Sequence, residues 1–297
     1  MFTTPILVIA YNRVAYTHDL FVAIKKIQPE KLYVSIDGAA AGDKVDLRNV
    51  LEVRSVFMPE WECDLKLRYN DKHLGKSAHV VSAINWFFEN EPEGIILFDD
   101  TLPHPDFFPY CAELLERFRD NKQIGHIGGC NILKRKYIEE SYYYSAYPSV
   151  WGFATWKDRW EGFDLKLEDV APDEIQQLFA PYNVKKKVPG VWLRKHKLLI
   201  KYSDIDIWEY QYFFHLWKKA CYNIVPTVNL VENRGFSTKS KHRLRKLNRE
   251  LKPIMPLVHN TTIVQHRKAD QFMFRRCFKK DKLTFLRHWI DENILNS

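Results

Sequence analysis

Two adjacent aspartates, Asp99 and Asp100, follow the apolar run Gly94-Ile95-Ile96-Leu97-Phe98, which has the length of a buried strand. In open α/β sheets, ligands bind beyond the carboxyl ends of strands. Neighbouring strand residues point to opposite faces. One carboxylate is therefore placed to ligate a divalent cation while the other meets a ribose hydroxyl or a metal-bound water. A solvated turn before Pro103 is the plain alternative. A second acid, Glu209, stands beside Trp208, after Asp204-Ile205-Asp206. A carboxylate against an indole is partly desolvated, which suits a general base, although a surface acid beside a core tryptophan reads the same way. Asn233-Arg234-Gly235-Phe236 and His242 lie in a polar, Gly-containing stretch of the kind that closes over a substrate. Trp151 and Trp156 offer flat apolar faces that suit sugar rings, or else belong to the core.

The elements needed to position these groups are legible in the first 130 residues, where strand-length apolar runs alternate with segments of helical spacing, the pattern of an α/β sheet. Pro5 to Ala10 and Leu32 to Ile36 are expected as buried strands, the second running into Asp37-Gly38. Thr17 is expected to cap a helix with Leu20, Phe21, Ile24 and Ile27 on one stripe. A further helix from Asp46 to Phe57 places Leu47, Val50, Leu51 and Val53 on or near one side. Leu65 to Tyr69 alternates apolar with basic residues, as an edge strand does, and a long helix spans 76 to 89. Beyond residue 136 the texture changes to aromatic-rich loops, including Tyr142-Tyr143-Tyr144 and Trp151 to Trp156. Three regions are expected: 1–135, 136–240, and a basic region, 241–297.

Several function classes are excluded or disfavoured. His73-Leu74-Gly75-Lys76-Ser77 resembles the tail of a phosphate-binding loop, but that motif requires glycine where Asn70 stands. The first glycine of the chain is Gly38, so the Gly-rich turn of a dinucleotide-binding fold or a sugar-nucleotide pyrophosphorylase is missing after the first strand. Five dispersed cysteines without a CxxC pair argue against a disulfide scaffold or zinc ribbon, and the N-terminus does not read as a signal peptide, which together suggest the cytoplasm. The formal charge is +8, and residues 239–288 carry 15 Lys/Arg against three acids. Such a region draws nucleic acid, phosphorylated substrates or an anionic membrane surface; the inner face of the cell membrane, with Phe278, Leu286 and Trp289 inserting shallowly, is the expected partner.

Taken in order, the motifs resemble a GT-A nucleotide-sugar glycosyltransferase, of the bacterial nucleotide-diphospho-sugar transferase kind that is similar to N-acetylglucosaminyltransferase I. Pro5 to Ala10 with Tyr11-Asn12-Arg13 resembles the family's first strand and its phosphate-contacting arginine, Arg13. Val34-Ser35-Ile36-Asp37 resembles the strand whose terminal Asp holds a uracil ring, and Asn70 falls at a further nucleotide contact. Ile96-Leu97-Phe98-Asp99-Asp100 resembles the Glu-Asp-Asp motif, whose last carboxylate, here Asp100, touches the metal. Trp208-Glu209 falls where a Trp-Asp pair supplies the base, and Gly235-Phe236 with His242 on the loop that closes over the diphosphate. Phe98 replaces the family's sugar-contacting Glu, and Glu209 replaces its Asp.

The resemblance implies a mixed sheet flanked by helices with an aromatic-rich acceptor lobe. It implies a metal-dependent (Mn²⁺ or Mg²⁺), inverting transfer from a UDP-sugar to a glycan or lipid-linked acceptor. Glu209 is the expected base; Ala10, Arg13, Asp37, Asn70, Phe98 and Asp99 line the donor site; Asp100 and His242 meet the metal; Trp151, Trp156 and Trp208 face acceptor or sugar. The alternatives are a catalytically weakened sugar-binding relative, a nucleic-acid-binding protein, or a glycoside hydrolase, which needs two facing carboxylates and no nucleotide.

Overall fold

The structure is a computed structural model describing residues 1–133, 138–203, 206–235 and 249–279. Its elements run β1 (Ile6–Ala10), α1 (Val14–Lys25), β2 (Lys31–Ile36), α2 (Lys44–Val56), β3 (Asp64–Tyr69), α3 (Lys76–Asn90), β4 (Glu93–Phe98), β5 (Thr101–Pro103), α4 (Phe107–Phe118) and β6 (Ile124–Gly128). There follow β7 (Tyr142–Ser145), β8 (Phe153–Trp156), α5 (Lys157–Trp160), a 3₁₀ turn at Glu174–Phe179, α6 (Lys187–Lys201), α7 (Glu209–Lys218), β9 (Tyr222–Pro226), β10 (Val231–Asn233) and α8 (Arg267–Met273).

Eight strands form one mixed sheet in the order β3-β2-β1-β4-β8-β6-β9-β7, and β5 pairs antiparallel with β10 beside it. The first four strands are parallel. A parallel sheet buried on both faces needs unbroken apolar strands, and Ile6–Ala10 is buried throughout. Its residues alternate between two cores. Ile6, Val8 and Ala10 join Leu20, Phe21 and Ile24 of α1, Val50 and Val53 of α2, and the inner face of α4. Leu7 and Ile9 join Val80, Ala83, Ile84, Phe87 and Phe88 of α3 and Tyr212 and Leu216 of α7. The result is a mixed α/β fold with helices on both faces of the sheet. A third cluster, around Trp192, Trp217 and Tyr147, lies under α6 and α7.

Local expectations are adjusted in four places. The first helix begins at Val14, and Thr17, rather than capping it, sits one turn inside with its hydroxyl donating to the Arg13 carbonyl at 3.0 Å. In α2, Val50 and Val53 are buried but Leu47 and Leu51 are exposed, because the helix turns only the 46–50–53–57 face to the sheet. Tyr142–Tyr144 and Phe153–Trp156, expected in loops, are strands; Tyr142, Tyr144, Ala154 and Trp156 join the first core and Phe153 the second, while Tyr143 packs with Val225 and Ala269. Phe278 is buried against Trp192 and Tyr147, so it is not available to a membrane; Leu286 and Trp289 lie outside the described residues. Strands from both sides of the expected boundary share one sheet, since β8 pairs with both β4 and β6.

Candidate functional site

The parallel register brings residues far apart in sequence to one sheet edge. Ala10 pairs with Ile36, and Ile9 with Phe98. One residue further on, the Asp37 amide donates to the Ala10 carbonyl at 3.1 Å, the Asp99 amide to Ile9 at 3.0 Å, and the Asn70 amide to Ile36 at 3.0 Å. Tyr11, Asp37, Asn70 and Asp99 thus stand in a row where β1, β2, β3 and β4 end. The buried strands β1, β2 and β4 stop here because the apolar run gives way to polar side chains that need partners other than the core.

At the β4 end, Arg13 Nη1 donates to Asp99 Oδ1 at 3.1 Å and to Asp100 Oδ2 at 2.5 Å, while the Tyr11 amide donates to Asp99 Oδ2 at 3.1 Å. Asp99 is buried, and desolvation raises its carboxyl above the ordinary range although Arg13 pulls the other way. Asp100 is less buried than Asp99, and its carbonyl accepts from the Arg234 amide at 2.7 Å, a link that continues the β5–β10 pairing. Gly235 lies directly against the Asp100 carboxylate, where an added Cβ would collide with Oδ2. A side chain at this position would have to displace the Asp100 carboxylate.

At the β2 end, Asp37 is 2% exposed. Its oxygens accept from the Gly38 amide (3.0 Å), Asn70 Nδ2 (3.0 Å) and the Leu74 amide (3.1 Å), with His73 Nδ1 at 2.8 Å. Asp37 and Asn70 are brought together, and between them they pin the 70–74 loop over Gly38, whose α-carbon leaves no room for a side chain against the Lys72 backbone. The His73 ring stacks on Tyr11 with centroids 4.7 Å apart. The Tyr11 hydroxyl donates to Asp46, which also accepts from Asn12 Nδ2 and the Ala40 amide. Tyr11 and His73 were missed from sequence. Tyr11 adjoins the first strand, which is a usable signal, but His73 is identifiable only through its contact with Asp37.

Glu209 is the first residue of α7, a position where the helix dipole favours a carboxylate. It pairs with Lys76 Nζ and accepts from the Trp208 amide at 3.2 Å. Asp206, the described acid upstream, accepts from the Lys76 and Ser77 amides at 2.7 and 2.6 Å and so caps α3. The start of α7 is thereby fastened to the start of α3, next to the 70–74 loop. Asp204 lies outside the described residues, as do Phe236 and His242.

The aromatic assignments divide. Trp208 is 1% exposed and Trp156 2%. Trp208 packs on Phe98, Phe153 and Tyr212, and the Trp156 indole N–H donates to the Leu115 carbonyl at 3.3 Å. Both are core residues that offer no face to a sugar, a correction that burial imposes. Trp151 is half-buried against the first core. Phe98 turns its ring to Trp208, 5.9 Å between centroids, and brings no hydrogen-bonding group to the site.

Among the described residues no group of three or more His, Cys, Asp or Glu side chains could by itself hold a metal ion. The donor set at Asp100 nevertheless fits a divalent cation held largely by substrate phosphates, the usual arrangement for Mg²⁺. It offers a hard carboxylate oxygen, a space beside Gly235 that a Cβ would fill, and a local field that already holds the Arg13 cation.

No family model matches the chain, and no curated protein matches it. Solved structures show distant likeness. HddC from Yersinia pseudotuberculosis is 10% identical over 57% of this chain and 80% of its own, with a TM-score of 0.30. The 4-diphosphocytidyl-2C-methyl-D-erythritol synthase from Anaerococcus prevotii is 7% identical over 65% and 83%, TM-score 0.32. An apo UDP-glucose pyrophosphorylase is 7% identical over 77% and 93%, TM-score 0.36. Likenesses this distant leave the chemistry to the side chains at the sheet edge.

Proposed function

We propose that the protein is a glycosyltransferase that moves a sugar from a nucleoside-diphosphate donor, a UDP-sugar, to a glycan or lipid-linked hydroxyl with inversion. The observation that supports this best is the convergence of Arg13, Asp37, Asn70 and Asp99–Asp100 on one sheet edge, with Glu209 held by Lys76 at the start of the helix that follows the 70–74 loop. Tyr11, His73 and the 70–74 loop seat the base. Arg13 binds the diphosphate and offsets charge on the departing group. Asp100 is the residue that holds the divalent ion, which when bound supplies Lewis-acid stabilisation of that same charge. Glu209 takes the proton from the acceptor hydroxyl as its oxygen attacks the anomeric carbon from the face opposite the leaving group. In this reading Lys76 must leave Glu209 when the acceptor arrives, because a carboxylate held by an ammonium is a poor base.

Thermal stabilisation screened over nucleotide-sugars, with and without Mn²⁺, tests nucleotide, metal and sugar together. Stabilisation by UDP-sugars that needs Mn²⁺ is expected, and no response to any nucleotide sinks the reading. Pyrophosphate release from a nucleoside triphosphate and a sugar 1-phosphate would instead make the protein a nucleotidyltransferase.

The +12 stretch at 239–288 supports an acceptor carried on an anionic membrane surface. Among the described residues no helix is long and apolar enough to cross a membrane. Sedimentation with anionic but not neutral liposomes at low salt is expected, and its absence would favour an acceptor that is not membrane-borne.

A further inference from the structure

We propose that Arg13 is the resident cation of the Asp99–Asp100 turn and gates metal uptake there. Without a diphosphate the guanidinium holds both carboxylates, and a divalent ion is accepted only once a diphosphate draws Arg13 off. The inference rests on the nucleotide-sugar reading above and adds an order of events to it. A single nitrogen, Nη1, bridges Asp99 Oδ1 and Asp100 Oδ2. An ion ligated by Asp100 would sit about 2.1 Å from one of its oxygens, so metal and guanidinium would share one carboxylate. Water screens that repulsion poorly, since the Asp99 and Asp100 side chains are only 8% and 17% exposed. Among the described residues no group of three or more His, Cys, Asp or Glu side chains is placed to hold a metal ion, so nothing beyond the two aspartates is shown to balance both cations.

Arg13 itself is 47% exposed. It lies at the start of α1 and has open solvent into which a planar, fork-shaped cation can swing to meet phosphate oxygens bidentately. A diphosphate therefore does two things at once. It supplies a stronger partner for Arg13, and it brings the extra oxygens that an ion on one carboxylate requires. At Gly235 no side chain competes for the Asp100 carboxylate, which a Cβ there would strike. Coupling of this kind is reciprocal, so metal must raise diphosphate affinity by the factor by which diphosphate raises metal affinity.

Free Mn²⁺ measured by electron paramagnetic resonance, titrated into the full chain with and without UDP, tests the gate without any turnover. Wild type should bind Mn²⁺ at least tenfold more tightly with UDP present. Arg13→Gln should bind Mn²⁺ without UDP at least tenfold more tightly than wild type does, whereas Arg13→Lys, which keeps the charge, should remain as weak as wild type. Unchanged circular dichroism certifies each variant's fold. If Arg13→Gln matches wild type in the absence of UDP while UDP still raises wild-type affinity, the gate is wrong and the nucleotide reading stands. If Arg13→Gln gains Mn²⁺ affinity but UDP has no effect on any form, Arg13 occupies the turn without being released by a diphosphate, and the gate falls together with the nucleotide reading.

Discussion

Replacing Asp100 by alanine should remove the metal-dependent part of donor affinity, at least about tenfold or ~1.4 kcal/mol, while leaving the fold intact. The carboxylate lies beyond the end of β4, and its pairing with a half-exposed Arg13 is worth under about 1 kcal/mol to stability. Calorimetry of UDP binding with and without Mn²⁺ reads the first effect and a melting curve the second; equal Mn²⁺ dependence in variant and wild type would remove the metal assignment. Glu209→Gln should keep donor binding and lose on the order of 10² to 10⁴ in turnover, because an amide preserves shape but takes no proton. A variant transferring sugar at the wild-type rate would place the base elsewhere. Asp206 would then be a poor substitute, since both its oxygens are engaged in capping α3. At this scale the acidic and basic groups were legible because polar residues directly after apolar strands have few structural uses. The tryptophans were not legible, because an indole serves a core and a sugar cleft equally well and only burial separates the two.

Elements were legible where one physical requirement dominated. Parallel strands buried on both faces must be apolar throughout, and β1, β2 and β4 fall close to their expected bounds. Helix faces were less secure: Leu47 and Leu51 share a turn with Val50 but point away from the sheet, and hydropathy does not say which side of a broad apolar stripe packs. The Tyr142–Tyr144 strand was read as loop because its partners, β9 and the described chain near Gln265, are distant in sequence. An anchor of the same long-range kind holds the end of α4. The buried Arg159 donates to the carbonyls of Phe118, Arg119, Asn121 and Ile124. Arg159→Ala should leave those acceptors unpaired and cost roughly 3 kcal/mol or more. Urea unfolding measures it, and a loss below about 1 kcal/mol would show that water replaces the guanidinium.

For the molecule as a whole, stability should fall as pH drops from about 6.5 towards 4. Burial holds His126 down to about 3 and His215 down to about 4, and depresses His79. These rings stay neutral in the fold, with the His126 and His215 rings bonded to the Ser149 and Arg159 carbonyls at 2.9 and 2.8 Å, whereas in the unfolded chain they charge below about 6.5. Their contribution is complete above that pH and is lost as pH falls through the window, His215 alone accounting for roughly 3 kcal/mol. The carboxyls of Asp99 and Asp270, raised by burial, act in the opposite sense and blunt the slope. Urea unfolding at pH 7 and pH 5 checks the sign, and a shallower slope in His215→Gln checks the source. By itself the sequence determined the α/β class, the central strands and the polar residues at their ends, because burial on both faces and the need to satisfy polar groups act locally along the chain. Only the tertiary structure decided which of those residues meet. The pairing of Arg13 with both aspartates, of His73 with Asp37 and of Lys76 with Glu209, and the loss of Trp156 and Trp208 to the core, depend on the register between strands and on contacts across up to 133 residues, and no local pattern encodes those.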